Sequence, residues 1–201
     1  AVDAATKTVT VKNTHRASTF PMATLSGGDF IVLTTILKFT DCSGIWLYDK
    51  SLGYLGNVAI VGNNSASTTV GIEVGYYNWR GVRGGTINCG NYVGVNGFTE
   101  GFAAGNGGSI VGNALVASGN GVNGFYASHS GSGSIYATSS TASGNGSNGF
   151  FVSHSGSIYA TSSTASGNGS TGFYAQYSGS IYASSSTASG NGSTGFYAQY
   201  S

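Results

Sequence analysis

Ala117–Phe125 reads ASGNGVNGF, Ala142–Phe150 reads ASGNGSNGF, and both Ala165–Phe173 and Ala188–Phe196 read ASGNGSTGF. Successive copies begin 25, 23 and 23 residues apart (117 to 142, 142 to 165, 165 to 188). A fixed period of about 20 to 30 residues, with short apolar runs set between Gly, Ser and Asn, marks a solenoid: one repeat is one coil, and no coil buries its apolar side alone. A second motif, Ile-Tyr-Ala or its near copy, recurs at Ile135, Ile158 and Ile181 between the Gly-Phe copies, so each coil carries at least two strands.

Side chains alternate across a strand, and stacked coils lie about 4.8 Å apart, so equivalent residues fall directly above one another. This predicts an inner Phe column (Phe125, Phe150, Phe173, Phe196) and an inner Ile column (Ile135, Ile158, Ile181). It also predicts an Asn stack at the corner (Asn120, Asn145, Asn168, Asn191), most simply structural, each amide bonding its neighbours. Two aromatic columns should face outward: Tyr136, Tyr159 and Tyr182, and Tyr126, Phe151, Tyr174 and Tyr197.

Working back toward the N-terminus, Asn96-Gly97-Phe98 aligns with Asn123-Gly124-Phe125, and phrases such as NVAIVGN and GVRGGTINCG place one apolar strand before each Gly/Asn corner. The chain therefore divides into a Thr-rich lead-in over 1–28, irregular coils over 29–110 and regular coils over 111–201. Division of the coiled length by the period gives about seven coils, and helix content should be low. The last repeat stops in mid-coil at Ser201, which predicts that the chain continues or that a partner covers its edge.

Composition narrows the function classes. The chain has 201 residues with seven Lys and Arg, six Asp and Glu, 35 Gly and one Pro, and no Asp, Glu, Lys or Arg follows Glu100. A net charge of +1 offers no basic face for nucleic acid. No run approaches the roughly 20 apolar residues of a membrane span, and no signal peptide is visible. The 13 Tyr and 10 Phe at fixed columns argue against disorder. Cys42 and Cys89 lack metal-ligand spacing; two buried free thiols and a disulfide are the alternatives. No metal or other cofactor is expected.

The phrase GFYAQYSGSIYASSSTASGNGSTGF and its copies, with LKFTDCSGIWLYD and NVAIVGN earlier, resemble the right-handed parallel β-helix segments of bacteriophage tail fibres and tailspikes and of prophage tail proteins, over about 29–201. The resemblance implies an all-β, right-handed parallel β-helix of about 23 residues per coil, assembled as a homotrimer in the virion tail. It also implies contact with other tail proteins and attachment to bacterial surface polysaccharide. In the tailspike branch it implies polysaccharide cleavage by Asp and Glu clusters, and no motif carries those residues over to this chain.

Glycoside hydrolysis generally needs two carboxyl groups about 5 to 9.5 Å apart. Asp41, Asp49 and Glu73, with Arg80 and Arg83 close behind, are the only candidates for such a groove; solvated corner residues are the plainer reading. His129 and His154 share a column continued by Tyr177 and Tyr200, which suits packing better than metal binding. The outward aromatic columns (Tyr126, Tyr136, Phe151, Tyr159, Tyr174, Tyr182, Tyr197) suit either glycan contact or a subunit interface. Thr138/Thr161/Ser184 and Thr141/Thr164/Thr187 raise an ice-binding alternative. Asn145, Asn168 and Asn191, each followed by Gly-Ser, would be glycosylation acceptors in a secreted adhesin.

Overall fold

A computed structural model describes residues 2–3, 8–12, 17–21, 35–47, 51–63, 68–75, 84–128 and 132–199. The chain is an all-β parallel solenoid of about six coils, its regular rungs in register 23 residues apart. Three parallel sheets form its walls, with seven, seven and six strands. The first sheet runs from Thr35–Lys38 to Thr187–Ser189, the second from Ile45–Leu47 to Phe196–Gln199, and the third from Ser51–Leu55 to Ser180–Tyr182. Within the lead-in, Val2–Asp3, Thr8–Lys12 and Ala17–Pro21 pair as a separate antiparallel sheet.

The inner columns hold the core. Phe102, Phe125 and Phe150 are fully buried and Phe173 nearly so, and from Phe102 to Phe196 successive rings stack at centroid separations of 4.8, 4.6, 4.7 and 4.8 Å within 4° of parallel. Ile87, Ile110, Ile135 and Ile158 form the column on the third wall, each at 0 % exposure. The first wall answers the bulky Phe column with small residues, Ala117, Ala142 and Ala165. Large against small across a narrow lumen fills it without voids, as close-packed interiors require.

Corners are where a coil loses ladder hydrogen bonds, and three internal stacks make good the loss. At the first corner Asn145 Oδ1 accepts from the Asn120 backbone N–H (3.1 Å) and from Asn120 Nδ2 (3.0 Å), while Asn145 Nδ2 donates to the Ala117 carbonyl (3.2 Å). Asn168 and Asn191 repeat this bonding one and two coils on. The first stack begins where Phe98 donates its N–H to Asn120 Oδ1; Asn96 pairs with Ser118 and Phe102 with Phe125, which corrects the alignment of Asn96-Gly97-Phe98 with Asn123-Gly124-Phe125. At the far end of the same turn, just before the second wall, Asn148 donates from both its N–H and its Nδ2 to Asn123 Oδ1, and Asn148 Oδ1 accepts from the Thr171 N–H. At the corner between the third wall and the first, the N–H groups of Leu115, Ser140 and Ser163 each donate 3.0 Å to the serine Oγ of the next coil.

Glycines fit these stacks for two separate reasons. Gly119, Gly144, Gly167 and Gly190 take φ of 60 or 61°, the left-handed turn that starts the Asn corner. Gly124, Gly149 and Gly172 have no such dihedral; a Cβ there would come within 2.8 or 2.9 Å of the neighbouring Asn Nδ2, so the ladder excludes any side chain.

Phe150 points inward and Phe151 outward from the same strand, which makes the pair a direct test of the facing. Phe150→Ala should lower unfolding free energy by about 3 to 5 kcal/mol and Phe151→Ala by less than half of that, measured by chemical denaturation. Equal losses would contradict the assigned faces.

Candidate functional site

Alternation along the second wall places Tyr126, Phe151, Tyr174 and Tyr197 outside, stacked at 5.1, 5.2 and 5.1 Å. All but Tyr197 are half-buried. The hydroxyls of Tyr126 and Tyr174 are engaged within the chain: Tyr126 Oη lies 3.3 Å from Ser153 Oγ, and Tyr174 Oη lies 2.9 Å from both Gln176 Oε1 and Gln199 Oε1. Desolvation, then the neighbouring Tyr197 and Tyr177, pushes the Tyr174 phenol pKa upward. Ahead of Tyr126 the same outward register holds Ala103 and Glu73, and both are fully buried, so the second wall is covered there.

The third wall differs. Tyr136, Tyr159 and Tyr182 stack at 4.6 and 4.7 Å within 7° of parallel, and Tyr136 and Tyr182 are 41 % and 55 % exposed. Among the described residues, none of these three hydroxyls has a hydrogen-bond partner. Rings stacked at coil spacing cover one another's faces. Among the described residues, ring faces not covered by another ring stand at the two ends of the stack, at Tyr136 and at Tyr182. In the coil before Tyr136 the register position holds Val111, and before that Asn88. There the wall opens into a groove of about 490 Å³ lined by Tyr54, Asn88, Cys89, Gly90, Val111 and Tyr136 among others.

Of the candidate carboxylates, Asp41 and Glu73 are among the described residues. Asp41 sits exposed in the corner after the first strand, φ 55°, bonded through Oδ1 to Asn63 Nδ2 at 3.2 Å. Glu73 lies mid-strand on the second wall, opposite Trp46 in the ladder and fully buried. Asp49, Arg80, Arg83 and His129 lie outside the described residues. His154 is exposed beside Tyr177, ring centroids 4.9 Å apart. Among the described residues no group of three His, Cys, Asp or Glu could hold a metal ion. Asn145 and Asn168 are 1 % exposed and committed to the ladder, which removes them as glycan acceptors. Both cysteines are free thiols; Cys89 is buried as expected, whereas Cys42 is exposed.

Glu100 is the titratable group that sequence reading passed over. It heads the Asn123–Asn148 stack, its Oε1 accepting from Asn123 Nδ2 at 3.3 Å, while its Oε2 is buried with no hydrogen-bond partner among the described residues. Burial pushes its pKa from 4.5 up to about 8 against the opposing bonds from Asn123. The recurring polar residue two places before each Phe (Asn123, Asn148, Thr171) was the available signal for this stack.

A fold that holds this proton until about pH 8, when the unfolded chain releases it near 4.5, binds more protons than the unfolded state between those values. The stabilising contribution is complete below pH 4.5 and is lost as pH rises to about 8. The unfolding free energy from denaturant titration should therefore fall across that window, by at most about 1.4 kcal/mol per pH unit, and Glu100→Gln should flatten the slope. An unchanged slope in the variant would contradict the assignment.

The molecule is thus a parallel β-solenoid repeat protein with an uncharged aromatic surface on its regular coils. In comparisons with known proteins, no family model, curated protein or solved structure matches the chain.

Proposed function

We propose that this chain is a shaft segment of a phage-type tail fibre or tailspike, a right-handed solenoid that assembles as a homotrimer and attaches to a bacterial surface through its glycan. The observation that carries the reading is the exposed Tyr136–Tyr159–Tyr182 column, its hydroxyls unengaged, on coils without an Asp, Glu, Lys or Arg. Aromatic rings with a polar tip and no neighbouring charge suit a neutral, hydroxyl-rich ligand. Right-handedness follows the strong general preference of parallel crossovers. The half-buried column on the second wall, with the Tyr126 and Tyr174 hydroxyls already satisfied, suits the core of a subunit interface, where aromatics are enriched and charge depleted.

Light scattering combined with pull-down on intact bacteria and on their purified surface polysaccharides tests this reading. A mass of three protomers and retention on polysaccharide are expected. A monomer that binds neither cells nor polysaccharide would overturn it, and reducing ends appearing in the mixture would favour a cleaving tailspike instead.

A further inference from the structure

We infer that the groove between Tyr54 and Tyr136 on the third wall is the primary glycan subsite, built for an uncharged polysaccharide. The inference rests on the attachment reading above and assigns it to one face and one ligand class.

Three features build the groove. First, it is where the tyrosine stack ends: Tyr136 has one ring face against Tyr159, at 4.6 Å and 2°, and on its other side stands the short Val111 rather than another ring. That face is open to a ligand. Second, Tyr54 closes the far side at 68 % exposure, and its seat is made by glycine. A Cβ on Gly90 would lie 2.2 Å from Tyr54 Oη and 2.3 Å from Cζ, and a Cβ on Gly56 would lie 2.7 Å from the same ring. Gly90 carries no left-handed dihedral, so the space it leaves serves the ring and not the backbone. Third, the polar groups between the two rings are neutral. Asn88 is exposed and its amide has no hydrogen-bond partner among the described residues; Asn113 is exposed and bonded to Asn91 Oδ1 at 3.3 Å; Thr138 is exposed. The Cys89 thiol in the floor is buried, which pushes its pKa up to about 12 and keeps it uncharged.

The strand order also sets the extent of the groove. Tyr54, Asn88, Val111 and Tyr136 come from four successive strands of one parallel sheet, so the groove spans three strand spacings, about 14 Å, and the Tyr54 ring leans over Gly90 of the next coil toward Tyr136. A chain laid between them stacks the apolar face of a sugar on each ring and offers its hydroxyls to the free Asn88 amide and tyrosine Oη atoms. With no cation in the lining, a uronate-bearing polymer would lose hydration without gaining a partner. The second wall offers no equivalent, because the Tyr126 and Tyr174 hydroxyls are engaged and Ala103 and Glu73 are covered.

The test is equilibrium binding, by calorimetry, of purified neutral bacterial surface polysaccharides, with cellohexaose as a defined neutral probe and hexagalacturonate as the anionic control. Tyr136→Ala and Tyr54→Ala should each weaken binding of the neutral polymer about tenfold. Tyr197→Ala should leave it unchanged. Gly90→Ala is the variant that spares the tyrosine: it displaces the Tyr54 ring, an exposed and movable side chain, and should reproduce the Tyr54→Ala loss with an unchanged circular dichroism spectrum. Neutral-polymer binding that survives Tyr54→Ala, Tyr136→Ala and Gly90→Ala would overturn the subsite while leaving attachment intact. Retention on cells with no neutral polymer or cellohexaose bound, or preference for hexagalacturonate, would overturn the ligand class. Binding to nothing would overturn both this inference and the attachment reading.

Discussion

A coil that turns from wall to wall brings backbone N–H and C=O groups to a dry interior, at the turn between the first and second walls and again between the third and the first; the structure depends on how those groups are satisfied. The answer at the first corner is an amide that belongs to the next coil. Asn145 Oδ1 takes both the backbone and the side-chain N–H of Asn120, and its own Nδ2 reaches back to Ala117. A donor left unmade in such a place costs about 1 to 3 kcal/mol, so a coil out of register by one residue would forfeit several such bonds at once. Register at the corner then sets register everywhere else. The Phe stack, the Ile column and the tyrosine column are aligned because the corners are.

Repetition of this kind has a cost for recognition. A ring directly above an identical ring loses its face to its neighbour, and a hydroxyl beside the next coil's amide loses its freedom, as Tyr174 does between Gln176 and Gln199. Regular coils are therefore good walls and poor binding sites. The opening lies at the boundary where irregular coils give way to regular ones, where Val111 stands in the register of Tyr136 and a shift in pairing between Leu52 and Leu55 accompanies Tyr54 at the opposite end.

That same boundary divides what the sequence makes legible from what it does not. The inner Phe and Ile columns, the outward tyrosines and the Asn corner follow from period and alternation, since each is a residue type recurring at a fixed offset. The Ser140/Ser163/Ser186 and Asn123/Asn148 stacks also recur, yet Ser and Asn beside Gly read as turn punctuation, and nothing local distinguishes an inward hydroxyl from a solvated one. In the irregular coils there is no second copy to align. The burial of Glu73 on an outward register position, the exposure of Cys42 and the seating of Tyr54 on Gly90 are all tertiary facts. Glu100 combines both difficulties, an acid in the column that its later copies fill with Asn and Thr.

The central claim is that the corner amides hold the coils in register, and the unfolding free energy of Asn145→Ala, by denaturant titration against the parent chain, tests it most directly. The account requires a loss of about 3 kcal/mol or more, because the substitution strips a partner from the Asn120 N–H, the Asn120 amide and the Ala117 carbonyl together. A change smaller than about 0.5 kcal/mol would mean that the stacked apolar columns alone carry the fold, and the ladder would be an ornament of the register and not its cause.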